Sequence, residues 1–362
     1  MSNGQQTIEG STLPPPLRTA PDMRAEWQEG IDLPFEEAAE RIIAAHAEDG
    51  DAADLPITDL RTWAVAPKDA HFSLVPLARH HEPKALRSTA FSNLMARLGA
   101  PAEFIRDRLP APLQLATTNW LLATGDAAQA ATLRLRGGEI AAVVSGRYAP
   151  LDPVELVDTL RSALSRHGLL EEARVRGVAS GLVDNMRIIL PGERRELKKG
   201  DVSNVGIDVS TSCFGRSAVH IAPLIWRLVC SNGMRAMSRG EGFSFRHVGD
   251  ADRLRNAVAE AIPSALVHAR GVMGMWQKAV TFMVQDVEQQ IAELRELTII
   301  ERTNLERELL AETGAPELPE HAPLYDLVNA LTSSAKSAVP ARRLELEAMA
   351  GELLDLHVGR GS

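Results

Sequence analysis

Residues 132–168 read TLRLRGGEIAAVVSGRYAPLDPVELVDTLRSALSRHG, and a change of period inside this stretch decides the fold class. Leu133 and Leu135 alternate with Thr132, Arg134 and Arg136, the two-residue repeat of a half-buried strand. Gly137-Gly138 then supplies the positive φ angles of a tight hairpin turn, and Glu139–Ser145 returns as a second strand. After Tyr148 the repeat becomes helical. Asp152 stands at the N-cap position, Pro153 at the first helical position and Glu155 at the third, and Gly168 ends the run.

Downstream, alternating segments follow at 173–180 (ARVRGVAS), 185–191 (NMRIILP), 204–212 (NVGIDVSTS), 217–230 (SAVHIAPLIWRLVC) and 242–248 (GFSFRHV), with the charged connection GERRELKKGD at 192–201. Upstream, 35–47 reads as a short amphipathic helix and 86–122 as helices broken at Gly99 and Pro110. Beyond Asp250 the helical period returns, divided by Pro263, Gly314-Ala315-Pro316 and Pro340. The expectation is an α+β protein with an antiparallel sheet and helices in its central region, a helical N-terminal segment and an all-α C-terminal region. The expected divisions are a disordered tail at 1–30, a helical region at 31–125, the α+β core at 126–250 and helices from 251 to 362. Val280, Val284, Val287, Ile291 and Leu294 form a seam too short for a coiled coil, so it is expected to pack within its own domain.

Composition bounds the function. The 362-residue chain carries a net charge of −9, which argues against a nucleic-acid binder, but the sign is unevenly spread. Residues 131–250 hold 17 Lys and Arg against 13 Asp and Glu, a net of +4, which leaves −13 for the rest. No apolar run reaches membrane-spanning length, and the first residues lack the pattern of an export signal, so a cytoplasmic protein is expected. Cys213 and Cys230 cannot build a disulfide framework and are expected as buried thiols.

Motifs that carry catalysis or cofactors are missing. The chain has no Gly-Lys pair for a phosphate loop, no G-x-G-x-x-G after a strand, and no G-x-S-x-G, H-E-x-x-H or C-x-x-C. Neither His80-His81-Glu82 nor the acidic run Asp49, Asp51, Asp54 has the spacing of a metal site. No cofactor and no metal are therefore expected. Asp201, Asp208 and His247 are the scattered residues on which a hidden hydrolase or nuclease would have to rest.

Three further stretches carry a resemblance: VSGRYAPLDPVELVDTL, the run from Gly200 to Met234, and RHVG at 246–249. In this order they resemble the domain of unknown function 932 family, also described as phage/plasmid-like protein. The most specific element comprises Arg227, Cys230, Asn232, Gly233 and Met234. Where members usually show a Ser-acid-x-Gly turn, this chain has Ser212-Cys213-Phe214-Gly215. More distantly, the order strand, Arg-Tyr turn, helix, antiparallel strands is similar to the core of Rad52-type single-strand annealing proteins. That similarity implies a basic groove for single-stranded DNA, assembly into rings, and no need for metal or ATP.

The residues that such a groove would use are Arg134, Arg136, Arg147, Tyr148, Arg174, Arg176, Arg187, Arg194, Arg195, Lys198, Lys199, Arg216 and Arg227. Arg134 with Arg136, and Arg174 with Arg176, are spaced i, i+2 and share a sheet face. Against this stand ordinary readings: such pairs often line the solvent side of a sheet, and Phe243 and Phe245 are expected in the core rather than as a base platform. The expected function is non-sequence-specific binding of nucleic acid, single-stranded DNA above all, by an annealing accessory factor of a phage or plasmid that self-associates. The acidic flanks would meet a protein partner. The alternatives are a non-catalytic protein-interaction factor of a mobile element and the hidden enzyme.

Overall fold

The computed structural model describes residues 15–78, 82–125, 130–227, 232–235 and 242–359, with backbone alone at 29–30, 232–235 and 340–341. His80, His81 and Cys230 lie outside the described residues. In chain order the elements begin with β1 (Glu26–Pro34), α1 (Phe35–Glu48), β2 (Ala52–Ile57), β3 (Trp63–Lys68), β4 (His71–Pro76), β5 (Lys84–Ala85), α2 (Ser88–Arg97), α3 (Ala102–Arg108) and α4 (Ala111–Thr124). The central run is β6 (Ala131–Arg136), β7 (Glu139–Ser145), α5 (Pro153–Arg166), β8 (Arg174–Ser180), β9 (Asp184–Lys198), β10 (Asp201–Thr211), β11 (Val219–Arg227), β12 (Asn232–Arg235) and β13 (Phe243–Phe245). The last part holds α6 (Ala251–Ala279), β14 (Met283–Val284), α7 (Val287–Glu293), α8 (Ile299–Thr313), β15 (Ala322–Pro323), α9 (Leu324–Ser334) and α10 (Pro340–Leu354). The mixed α+β class with antiparallel sheets and a helical C-terminal region is as the sequence predicts.

The chain divides into two compact units, 1–23 with 49–148, and 24–48 with 149–362. This division differs from the expected boundaries, because residues distant in sequence complete each unit. The expected tail is corrected from residue 15 on, where Leu17 and Ala20 are buried and β1 is an edge strand of the large sheet, while residues 1–14 lie outside the described residues. The N-terminal region is likewise not purely helical, since β2 to β5 interrupt it.

In the first unit, β2, β6 and β7 form one three-stranded sheet and β3, β4 and β5 another. Gly137 and Gly138 have φ of 54° and 82°, the left-handed pair that the β6–β7 turn requires. Leu133 and Ile140 pack with Leu60, Phe72, Leu74, Phe91 and Leu94 in one core.

In the second unit, the sheet order is β1-β8-β9-β10-β11-β12, with β13 also paired to β11, and every pairing is antiparallel. Met186, Ile188, Leu190, Ile207, Val209, Val219 and Ile221 share a core with α1, α5 and the first part of α6. Val205 and Ile225 join the later part of α6 to the C-terminal helices. The Asp152/Glu155 capping box starts α5, as the spacing predicts. A second box, Thr298/Glu301, starts α8, and Gly314 ends it in the left-handed conformation. Two helix expectations need correction. Pro263 lies inside α6 rather than between helices. The 280–294 seam is split between β14 and α7, and its Val284, Val287 and Ile291 are buried in their own unit.

Candidate nucleic-acid interface

A backbone-binding groove needs cations that converge and that are not already neutralised. The strands do present the expected side chains in pairs, but most of these meet carboxylates. In the first unit, the β2–β6 register sets Asp54 opposite Arg134. The Arg134 Nε donates to Asp54 Oδ1 at 3.0 Å, and its guanidinium lies over the Tyr148 ring, 5.5 Å from the centroid. Arg136 is buried and donates to the Leu135 carbonyl. Neither is available to a strand of DNA.

In the second unit, Arg174 and Arg176 do share a face, as i, i+2 spacing demands, but Asp32 of β1 meets both, at 2.9 and 3.3 Å. Arg187 points away from the face of Met186 and Ile188 and is fully buried. Its Nε donates to Asp208, and its Nη1 and Nη2 donate to Glu347 of α10. The Trp27 ring covers the same guanidinium, 5.1 Å from the centroid. Lys198 pairs with Asp326 of α9 and sits over the Tyr325 ring. Arg227 donates to Asp201 at 2.8 Å and to Glu312 at 2.6 Å, and the Tyr325 hydroxyl donates to the other Asp201 oxygen at 2.6 Å.

These partners tune one another. Burial works against the Arg227 charge, yet its bonds to Asp201 and Glu312 hold the guanidinium above its ordinary value. Burial, and then the hydrogen bond to Asp201, push the Tyr325 hydroxyl well above the ordinary phenol range. So Arg134, Arg136, Arg174, Arg176, Arg187, Lys198 and Arg227 do not form the expected cationic track. In the second unit they fasten β1, α8, α9 and α10 to the sheet. The sequence conceals this because the acidic partners of Arg187 and Arg227 in the helices, Glu347 and Glu312, lie 160 and 85 residues away.

Five of the expected cations are exposed and have no carboxylate partner among the described residues: Arg147 in the first unit, and Arg194, Arg195, Lys199 and Arg216 in the second. Three of these sit on one piece of structure. The β8–β9 register ends at Arg174↔Ile189, while β9 and β10 stay paired out to Lys198↔Asp201. The end of the β9–β10 hairpin therefore runs on without β8, carrying Arg194, Arg195 and Lys199. Its turn is closed by Gly200, with φ of 79°, whose N–H donates to Glu196. Glu193 beside them is taken up by Arg270.

The family model described as Domain of unknown function (DUF932) matches residues 141–338. The chain belongs to this family. No curated protein and no solved structure matches it. The match runs in sequence from within β7 through β13 and most of the C-terminal helices, so in this DUF932 chain the family's extent reaches past the core boundary at 250 expected from the sequence.

The residues of the enzyme alternative are each committed elsewhere. Asp208 is buried and accepts hydrogen bonds from Asn185 and Arg187. Asp201 belongs to the Arg227–Tyr325 set, and His247 bridges Thr211 and the Ala149 carbonyl. Phe243 and Phe245 pack against the core, as expected. No helix among the described residues is long and apolar enough to cross a membrane.

Proposed function

We propose that this DUF932 member binds the nucleic-acid backbone without reading sequence, single-stranded DNA first, and that the outer end of the β9–β10 hairpin makes the contact. The supporting observation is the set of exposed cations without a carboxylate partner, Arg194, Arg195 and Lys199, on the one hairpin end that runs past β8. This reading is narrower than the groove expected from sequence, because the buried arginines are excluded from it. A role in annealing for a mobile element, ring assembly and a cytoplasmic setting are the finer parts of the proposal. The first two rest on the sequence resemblance alone, and the third on the lack of an export signal or a membrane-length apolar run in the sequence.

The number of free cations sets a quantitative expectation. Each phosphate neutralised on a single strand contributes about −0.7 to the log–log salt slope, so three hairpin cations give roughly −2, against roughly −8 for the full set expected from sequence. Fluorescence anisotropy of a labelled single strand, titrated at several salt concentrations, measures this slope. The double change Arg194→Glu, Arg195→Glu should abolish binding while leaving the fold intact. No binding at low salt would overturn the proposal. It would favour the protein-interaction reading, which has on its side the uncharged helix α4 with its solvent-facing Leu113 and Trp120.

A further inference from the structure

Three polar side chains meet in the second unit that neither their spacing in sequence nor the hairpin explains. His46 stands in the last turn of α1, Asp184 opens β9, and Cys213 lies in the turn after β10. All three are buried, with 7%, 1% and 1% of their surface exposed. One candidate ligand atom from each lies within 4.8 Å of the other two. His46 Nε2 is 2.7 Å from Asp184 Oδ1, which also accepts from the Gly181 N–H. Phe214 stacks on the His46 ring and fixes its plane.

Two atoms of this cluster are left over. His46 Nδ1 and Asp184 Oδ2 are buried without a hydrogen-bond partner. A buried polar atom left unsatisfied is costly, so a native fold that keeps two of them on members of one cluster calls for an explanation. A cation coordinated there supplies one. It would satisfy the carboxylate and an imidazole nitrogen and hold the thiol as thiolate. We propose that His46, Asp184 and Cys213 bind a borderline-soft divalent metal ion of the zinc class.

The donor set decides the class of metal. One nitrogen, one carboxylate oxygen and one sulfur exclude magnesium and calcium, which take oxygen ligands, and suit zinc or a neighbouring divalent transition metal. Zinc holds these ligands at about 2.0–2.3 Å, which places them roughly 3–4 Å from one another. The cluster reaches that spacing with a short side-chain adjustment that parts His46 from Asp184. Three protein ligands leave a fourth position for water. The ion would tie α1 to the sheet across a gap of 138 residues between His46 and Asp184. The proposal is independent of nucleic-acid binding.

The test uses the full chain, stripped with chelator and refolded with one equivalent of cobalt(II) as a spectroscopic stand-in for zinc. The expected result is a thiolate-to-cobalt charge-transfer band with the visible absorption of a tetrahedral site, bleached by added zinc at a one-to-one ratio. The band should vanish in Cys213→Ser and persist in Cys230→Ser, the other thiol of the chain. His46→Gln and Asp184→Asn should each weaken cobalt binding by about tenfold or more. Zinc should also raise the unfolding temperature of the wild type and not that of Cys213→Ser. A wild-type protein that shows no thiolate band overturns the proposal whether or not the variants fold. A band that survives in Cys213→Ser overturns it too.

Discussion

Arg187 and Glu347 face each other with no exposure to solvent, the Arg187 Nη1 donating to Glu347 Oε1 at 3.1 Å across 160 residues of chain. Arg343 shares the same carboxylate, and Asp208 takes the Arg187 Nε. A buried charge set of this kind is strongly coupled, because each member is desolvated and depends on the others.

Replacing Glu347 with glutamine should therefore destabilise the protein by about 3–5 kcal/mol, since two guanidinium groups lose their shared counter-charge. Urea unfolding followed by circular dichroism measures it. Arg194→Ala, at an exposed position, should stay within about 0.5 kcal/mol of wild type in the same assay. Equal effects would mean that Arg187 is not the fastening point described above.

Tyr325 should remain protonated at pH values where an ordinary tyrosine has ionised. The chain has two tyrosines, so a Tyr148→Phe background leaves Tyr325 as the sole phenol for ultraviolet titration. Its folded-state value is raised, so its contribution to stability is complete below the unfolded value near 10 and is lost as pH rises beyond it. A titration midpoint near 10 in the folded protein would contradict the Asp201 hydrogen bond.

Glu301 gives the opposite dependence. Hydrogen bonds from Arg342 outweigh the burial that opposes them and, with those from Thr298, hold its carboxyl at about 2, below the ordinary 4.5. Its contribution is complete above pH 4.5 and is lost as pH falls towards 2. Glu301→Gln should flatten the acid limb of the stability curve over that window and lower stability at neutral pH, and denaturant midpoints across pH 2–7 compare the two proteins.

Gly206 of β10 lies so close to β9 that an added Cβ would stand 2.2 Å from the Ile188 carbonyl oxygen. The neighbour is backbone and cannot rotate aside. Gly206→Ala should cost about 1–3 kcal/mol or more, read as a shift in unfolding midpoint. An unchanged midpoint would show that the strands separate more easily than their register implies.

Much of the fold was legible because its signals are local. The Gly137-Gly138 turn, the Asp152/Glu155 cap and the alternation of Met186, Ile188 and Leu190 each depend on residues within one element. The candidate interface was legible only in part. Alternation tells which face of a strand a side chain takes, and Arg174 and Arg176 do share one; it is silent on what lies across that face. Asp32 came from the start of a region that reads as helical, and Glu312, Asp326 and Glu347 from helices that read as separate from the sheet.

The sequence by itself determined the class of the fold, the strands and most helices of its middle, and a surplus of positive charge there. Periodicity, turn chemistry and composition are properties of neighbouring residues, and neighbours are what a sequence displays. Only the tertiary structure decided which charges remain free and which are cancelled, because an ion pair depends on distance in space. The same reason hid the meeting of His46, Asp184 and Cys213. Three residues with no common spacing became one cluster when α1 packed beside the ends of β9 and β10.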